Sequence, residues 1–361
     1  MTDADYNGDM EDSKGWDDIR PRILGFRETM KTVPELAEEV KELKVLVAAH
    51  FTSVSQTVCL NFLDDLDLVL REPQVTTQIA DRYVNLRVDV LRASSWYGAP
   101  VVPDPDGIAD YQIRDRIAAA ISDPSMKPVS DYLEFLDAAV VANTEISVPR
   151  QKQAGDKDDD DAYRSRDYPA LEKMLRAFLE KYPHSHKCEA ARLLLARAVY
   201  RQSWPRIETV ETDTGEISTY VEEGEQLKPK RVLAELDAYD REFPNGRYSP
   251  EIRDMRASVC WRSGEWKPAL DLTLRQLDDQ LPDLRRDAIL RLANIFAELE
   301  NPDHRPSLIA AIRENPSALA WFKVYLAKAQ NYRDHPVRFL GGYLEDQLGI
   351  QPPVPQNQNA Q

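Results

Sequence analysis

The chain has 361 residues, of which 42% are hydrophobic and 30% charged, a composition typical of globular proteins. This length suits two or three domains, or one repeat array with attachments. Acidic residues outnumber basic ones by 62 to 46, which gives a net charge of −16. Nucleic-acid affinity comes largely from neutralising phosphates, so this charge, with no basic stripe, argues against a nucleic-acid partner.

The three cysteines, Cys59, Cys188 and Cys260, form no CxxC motif and no close pair. We therefore expect reduced, buried thiols rather than a disulfide framework. The amino terminus is acidic where a signal peptide would be basic and then apolar, and no run of about 18 apolar residues occurs. These features predict a soluble, cytoplasmic protein without a membrane span, unless an export signal has been removed.

The first half of the chain has helical spacing of its apolar residues. Residues 1–18 are acidic and are expected to be a disordered tail. Between residues 19 and 145 apolar side chains recur at steps of three and four, for example at Leu36, Val40, Leu43 and Val47. Because no longer period connects these stripes, we expect an irregular helical domain.

Residues 146–167 differ abruptly in composition and contain four consecutive aspartates, Asp158–Asp161. Adjacent carboxylates repel one another, so this segment is predicted to be an acidic linker between domains. Weak binding of divalent ions is an alternative, but adjacent carboxylates without a fixed loop define no coordination geometry.

A proline recurs between helical runs in the second half of the chain. The intervals between these prolines are 61, 38 and 34 residues, and they fall at Pro183, Pro244, Pro282 and Pro316. A 27-residue insertion at 203–229 accounts for the longest interval, since 61 minus 27 is 34. Within the insertion, two threonine- and valine-containing segments flank a turn with Gly215, a pattern that predicts a β-hairpin at about 206–221.

A 34-residue helix–turn–helix period is that of the tetratricopeptide repeat. The stretch Gly264-Glu265-Trp266-Lys267-Pro268-Ala269 resembles the Gly-acid-aromatic turn and small alanine of that family. Tyr182-Pro183 and Phe243-Pro244 resemble the aromatic–proline end of its second helix, and the latter is similar to the "YPxS" turn of bacterial envelope-associated members. The resemblance covers about residues 168–331. It implies a superhelical array whose first helices line a concave face that binds a peptide or protein, without shared catalytic residues.

The predicted fold class is therefore all-α, with an irregular N-terminal helical domain followed by a tetratricopeptide-like α-solenoid with one inserted β-hairpin. The repeat domain is expected to span 168–349, and a second disordered tail to span 350–361.

Three arginines stand nine residues after a proline, at Arg192, Arg253 and Arg291, whereas Tyr325 takes that position after Pro316. These arginines are the candidate partner-binding residues, because a planar guanidinium suits carboxylates of a partner. The alternative is a structural ion pair between each arginine and an acid of the neighbouring repeat. Given the acidity of the chain, we favour the ion pair.

His184, His186 and Cys188 form the chain's only local cluster of metal-ligand types, but a structural zinc site needs four ligands and no second group lies nearby. Asp104-Pro105-Asp106-Gly107 does not fit a calcium loop, because its register would place Val102 and Ile113 at ligand positions. We thus predict no catalytic residue, cofactor or metal. The sequence favours a non-enzymatic adaptor or scaffold for a protein or peptide partner. The alternatives are a fixed structural subunit that uses the hairpin and, less favoured, a metal-dependent enzyme using His184 and His186.

Overall fold

A computed structural model describes most of the chain. The described residues are 19, 21–23, 32–50, 54–93, 110–143, 146–149, 162–165, 167–203, 207–211, 217–221, 228–278, 282–331 and 337–350. The predicted tails at 1–18 and 351–361, the aspartate run and the Asp104–Gly107 turn lie outside them. Contacts divide the chain into two compact units, unit 1 from Met1 to Gln202 and unit 2 from Ser203 to Gln361. No helix among the described residues is long and apolar enough to cross a membrane.

Unit 1 contains seven of the described helices. In chain order they are α1 (Val33–His50), α2 (Val54–Arg71), α3 (Thr77–Ala93), α4 (Asp110–Ser122), α5 (Ser130–Asn143), α6 (Tyr168–Lys181) and α7 (Cys188–Gln202), with a 3-10 turn at Pro124–Val129. Each helix packs against the next one along the chain. The apolar stripe predicted at Leu36, Val40, Leu43 and Val47 is confirmed, since all four side chains lie in the core of this unit.

The pair α6 and α7 packs on α5 in unit 1. The side chains of Lys181 and Tyr182 donate to Glu134 on α5 at 2.5 and 2.7 Å, and the hydroxyl of Ser185 donates to Asp131. These contacts join the first predicted repeat to the preceding helical domain. Seen from the contacts, the division of the chain falls after Gln202 rather than at the acidic linker, whose role as a domain boundary stays a prediction.

Unit 2 contains the other seven described helices, α8 (Pro229–Glu242), α9 (Ser249–Arg262), α10 (Trp266–Gln276), α11 (Pro282–Ala297), α12 (Arg305–Glu314), α13 (Pro316–Asn331) and α14 (Val337–Leu348). From α9 onward, each helix also contacts the helix two positions along, as in α9 with α11, α10 with α12 and α11 with α13. One apolar core runs through this unit and includes Trp266, Leu292, Phe296, Phe322 and Leu326. Packing between both first and second neighbours is compatible with a helical solenoid.

The two proline turns 61 residues apart have the same local structure. At both, an aromatic residue ends the helix and bonds the carbonyl four residues back at 2.8 Å, Tyr182 to Phe178 and Phe243 to Tyr239. The ring centroids of the two pairs are 5.4 and 5.5 Å apart, each with an interplanar angle of 45°. The match by offset is therefore a structural equivalence, because backbone bonds and aromatic packing both repeat.

Gly264 makes the turn between α9 and α10. Its φ is +72°, a left-handed conformation that glycine adopts at no steric cost. The Gly264 amide bonds the carbonyl of Trp261, and the Glu265 amide bonds that of Cys260, so the end of α9 is satisfied. The turn points Trp266 and Ala269 into the core, where both are buried. The sequence motif at this position thus sets how closely α9 and α10 approach.

The predicted fold class needs a correction. The packed cores of the described residues are helical, so an inserted β-hairpin is not supported as a part of the fold, and all-α is the class. Strand geometry is confined to four segments whose backbones pair in twos, Ile146–Pro149 with Ala162–Ser165 and Ile207–Glu211 with Ile217–Val221. The first pair flanks the acidic run, where no strand was predicted. A two-stranded ribbon has too little apolar face to be stable alone, which is why pairing by itself does not make a layer of the fold.

Candidate functional site

The three candidate arginines lie on α7, α9 and α11, but they differ in environment. Arg192 and Arg253 are half-buried, and each takes part in an interaction. Arg291 is only 6% exposed. Partner binding by this set stays a prediction, and the burial of Arg291 leaves little of its surface for a partner.

Arg291 joins three helices through its guanidinium. Its Nε donates to the hydroxyl of Ser258 at 3.1 Å, one terminal nitrogen donates to Gln276 Oε1 at 2.9 Å, and the other contacts the Asp254 carboxylate. Asp254 and Ser258 lie on α9 and Gln276 lies on α10, so α9, α10 and α11 meet at this side chain. For Arg291, the structure thus shows the ion pair with a neighbouring helix that the sequence favoured, although the acid is an aspartate.

Tyr325 occupies the arginine position on α13 and is half-buried. Its ring packs against Phe296 and Phe322 at centroid distances of 5.4 and 6.3 Å. Burial, with a smaller contribution from Glu300, raises the pKa of its hydroxyl to about 12, so the side chain stays neutral at physiological pH. An aromatic contact therefore replaces the ion pair at this point of the helix layer.

A large exposed apolar surface lies on α11 and α13. Four large apolar side chains form what we call the α11–α13 face, namely Ile289, Leu290, Trp321 and Val324, with exposed fractions of 48%, 53%, 38% and 50%. Leu290 and Val324 are 34 residues apart, at equivalent points of the two helices. The same offset relates the buried residues Ala288 and Phe322, and Leu292 and Leu326. Both helices thus turn one apolar side to the core and a second one away from it.

The charges on these two helices are opposite in sign to the chain as a whole. Together, α11 and α13 carry five basic residues, Arg285, Arg286, Arg291, Lys323 and Lys328, against two acidic ones, Asp283 and Asp287. Arg285, Arg286 and Lys323 are exposed beside the α11–α13 face. Within the described part of the chain, no ion pair involving these three side chains is found, whereas Asp287 does take part in an interaction. The apolar face therefore has a basic border.

Sequence reasoning missed the α11–α13 face, because it assigned apolar residues at helical spacing to the core. One signal was available. Leu290 and Val324 recur at the 34-residue interval but lie two residues from the buried positions Leu292 and Leu326, off the core stripe. An apolar residue that keeps the repeat interval outside the core stripe indicates a second apolar side of the helix.

The candidate metal ligands do not come together in the described residues. His186 is mostly exposed and lies 4.0 Å from Glu72, whereas the buried Cys188 thiol contacts the carbonyl of Tyr182 at 3.0 Å. No group of three or more His, Cys, Asp or Glu side chains in the described ranges has an arrangement that could hold a metal ion. Burial, and secondarily Glu265, raises the pKa of the Cys260 thiol to about 11, which disfavours the reactive thiolate.

A second surface depression, of about 430 Å³, lies between α10 and α12. Its polar groups are already paired: the Trp266 indole donates to the Ser307 hydroxyl at 3.0 Å, and Lys267 pairs with Glu314 at 2.9 Å. The Trp266 ring also lies against His304 at a centroid distance of 5.2 Å. These contacts join α10 to α12, so they have a structural role.

Comparison with known proteins identifies no family: no family model matches the chain, and no curated protein or solved structure matches it significantly. The fold alone therefore defines the class of protein. It is a helical protein whose consecutive helices pack against one another, compatible with a helical solenoid.

Proposed function

We propose that this protein is a non-enzymatic adaptor that binds another protein through the surface of its packed helices. The observation that carries this proposal is the α11–α13 face. Apolar side chains on monomeric proteins are normally exposed singly, and a contiguous exposed group with polar residues around it marks an interaction site. Here four large side chains on two neighbouring helices are each between about a third and a half exposed.

The composition of the face supports a protein partner. Protein interfaces are enriched in aromatic residues and arginine at the expense of other charges, and binding energy concentrates on a few such side chains. Trp321 and Leu290 supply the apolar contacts, and Arg285 and Arg286 lie beside them. These features favour a protein over a small polar substrate, which would need convergent polar groups in a cleft.

We further propose that the helices of unit 2 form a tetratricopeptide-like array. The left-handed Gly264 before the buried Trp266 and Ala269, the aromatic–proline turn at Phe243-Pro244 and the 34-residue equivalence of α11 and α13 support this proposal. In such an array, α9, α11 and α13 are the first helices of successive repeats. The α11–α13 face would then belong to the surface that the resemblance assigns to binding.

Affinity capture of the full tagged chain from native cells, followed by mass spectrometry, tests the proposed function. We expect at least one protein to be retained by the chain and not by the tag alone, and to be released by moderate salt or by excess untagged chain. Retention of no specific protein would contradict an adaptor. A partner that stays bound in fixed stoichiometry through every wash would instead indicate a permanent structural subunit.

A further inference from the structure

The geometry of the α11–α13 face limits what it binds. Packed helices are separated by about 8–10 Å, so Leu290 and Val324, at equivalent points of neighbouring helices, are expected to be separated by a similar distance. An α-helix rises 1.5 Å per residue, so its positions i and i+7 are about 10 Å apart on one face. A helix lying across α11 and α13 therefore matches the spacing of the two apolar side chains.

The charges at the border determine the sign of the partner. Exposed Arg285 and Arg286 lie one helical turn before Ile289 and Leu290, and exposed Lys323 adjoins Val324. Complementary charges at the border of an interface steer association and disfavour partners of like charge. Acidic side chains that flank an apolar stripe would meet these three cations.

We propose that the α11–α13 face binds an amphipathic α-helix of another protein, with apolar residues at i, i+3 or i+4 and i+7, flanked by aspartate or glutamate. This inference rests on the proposed adaptor function and names the chemistry of the partner. A second copy of this chain fits poorly, because a symmetric dimer through this face would bring Arg285, Arg286 and Lys323 of both copies together.

Photo-crosslinking from the face identifies its occupant. The full chain carries p-benzoylphenylalanine at position 290 or 324 and is irradiated in native cells, and the crosslinked peptide is sequenced. We expect both positions to crosslink to the same helical, net acidic segment of one protein. The control places the crosslinker at Val45, a 65% exposed apolar position in unit 1, and should not give that product.

The charge argument is tested separately with Arg285→Glu, Arg286→Glu and Lys323→Glu combined in the crosslinking chain. We expect the yield at position 290 to fall at least about tenfold, since three favourable charge contacts become repulsive. The three positions are exposed, so we expect the fold to persist, and circular dichroism checks this. An unchanged yield contradicts the acidic partner.

The outcomes separate this inference from the proposed function. If affinity capture finds a partner but positions 290 and 324 give no crosslink to it, the adaptor stands and the α11–α13 site is wrong. A crosslink to a basic segment, to nucleic acid or to a second copy of the chain overturns the inference as well. Absence of any captured partner overturns the adaptor itself.

Discussion

Arg291 shows how one residue can be identified by sequence period yet have its role fixed by packing. The interval of nine residues from Pro282 singles it out, but only the structure shows that Ser258, Gln276 and Asp254 surround it. Gln276 is fully buried and also donates to Asp254, so the network has few spare partners. Burying a charge is tolerated only with such pairing.

We predict that Arg291→Ala lowers the free energy of unfolding by about 3 kcal/mol, because Asp254 and the buried Gln276 lose their shared donor. Arg291→Lys should recover part of this loss, since an ammonium group restores the charge but not the planar set of donors. Urea denaturation measures both. The matched control is Arg286→Ala, an exposed arginine on the same helix, with an expected change within about 0.5 kcal/mol. Equal effects of R291A and R286A would refute the buried network.

Asp123 provides a pH-dependent test. Its carboxylate accepts from the Ser125 side chain and amide and from Arg82, and these bonds hold its pKa at about 2, below the ordinary value of 3.8. Because the pKa is lowered in the folded state, the stabilisation is present above about pH 4 and is lost as the pH falls towards 2.

We therefore predict that Asp123→Asn is less stable than the unchanged chain at pH 5 and that the difference disappears near pH 2. Urea midpoints at pH 5, 3 and 2 measure it. Asp115→Asn, at an exposed position on the neighbouring α4, is the control. A difference for Asp123→Asn that stays constant with pH would show that the bonds to Arg82 and Ser125 do not depend on ionisation.

At the scale of elements, the turns were the most predictable part of the fold. Gly264 and the two aromatic–proline turns are local features, in which one residue fixes the backbone, so a single sequence shows them. The helices followed the three-and-four spacing to within a few residues, for example α5 at Ser130–Asn143 against a predicted 129–144.

Two features could not be derived from such local patterns. The first is the environment of Lys187, which is 5% exposed, contacts Asp65 on α2 and lies over the rings of Tyr132 and Phe135. Asp65 is 122 residues away along the chain and also pairs with Arg87 at 2.9 Å. The second is the strand pairing beside the acidic linker. Both depend on contacts between distant segments, for which the sequence contains no period.

The left-handed turn yields a prediction with an internal control. Gly264→Ala should cost about 1 kcal/mol of unfolding free energy, because a Cβ disfavours φ of +72°. The nearest atom to that Cβ would be 3.8 Å away on the Trp266 ring, so the cost is conformational rather than steric. Gly342→Ala, within α14 and with open space around it, should be neutral or stabilising by up to about 1 kcal/mol. Thermal unfolding compares them, and the opposite order would argue against the turn.

For the whole molecule, the sequence predicted helices in both halves but not the surface that we consider functional. Composition and charge are averages, and a net charge of −16 conceals a local excess of basic residues on α11 and α13. The three arginines that the period emphasised are on the same set of helices as that surface, yet one of them is internal. Exposure, which depends on the packing of neighbouring helices, separated the two roles.

The most direct test of the central claim is affinity capture with three baits: the unchanged chain, the double variant Leu290→Gln and Val324→Gln, and the control Val45→Gln. All three positions are exposed, so each variant should keep its fold, to be verified by circular dichroism. We predict that the unchanged chain and Val45→Gln retain the same partner, and that the double variant retains at least about tenfold less, as expected for loss of about 1.4 kcal/mol or more of binding energy. Equal retention by all three baits would contradict the claim that the α11–α13 face binds the partner.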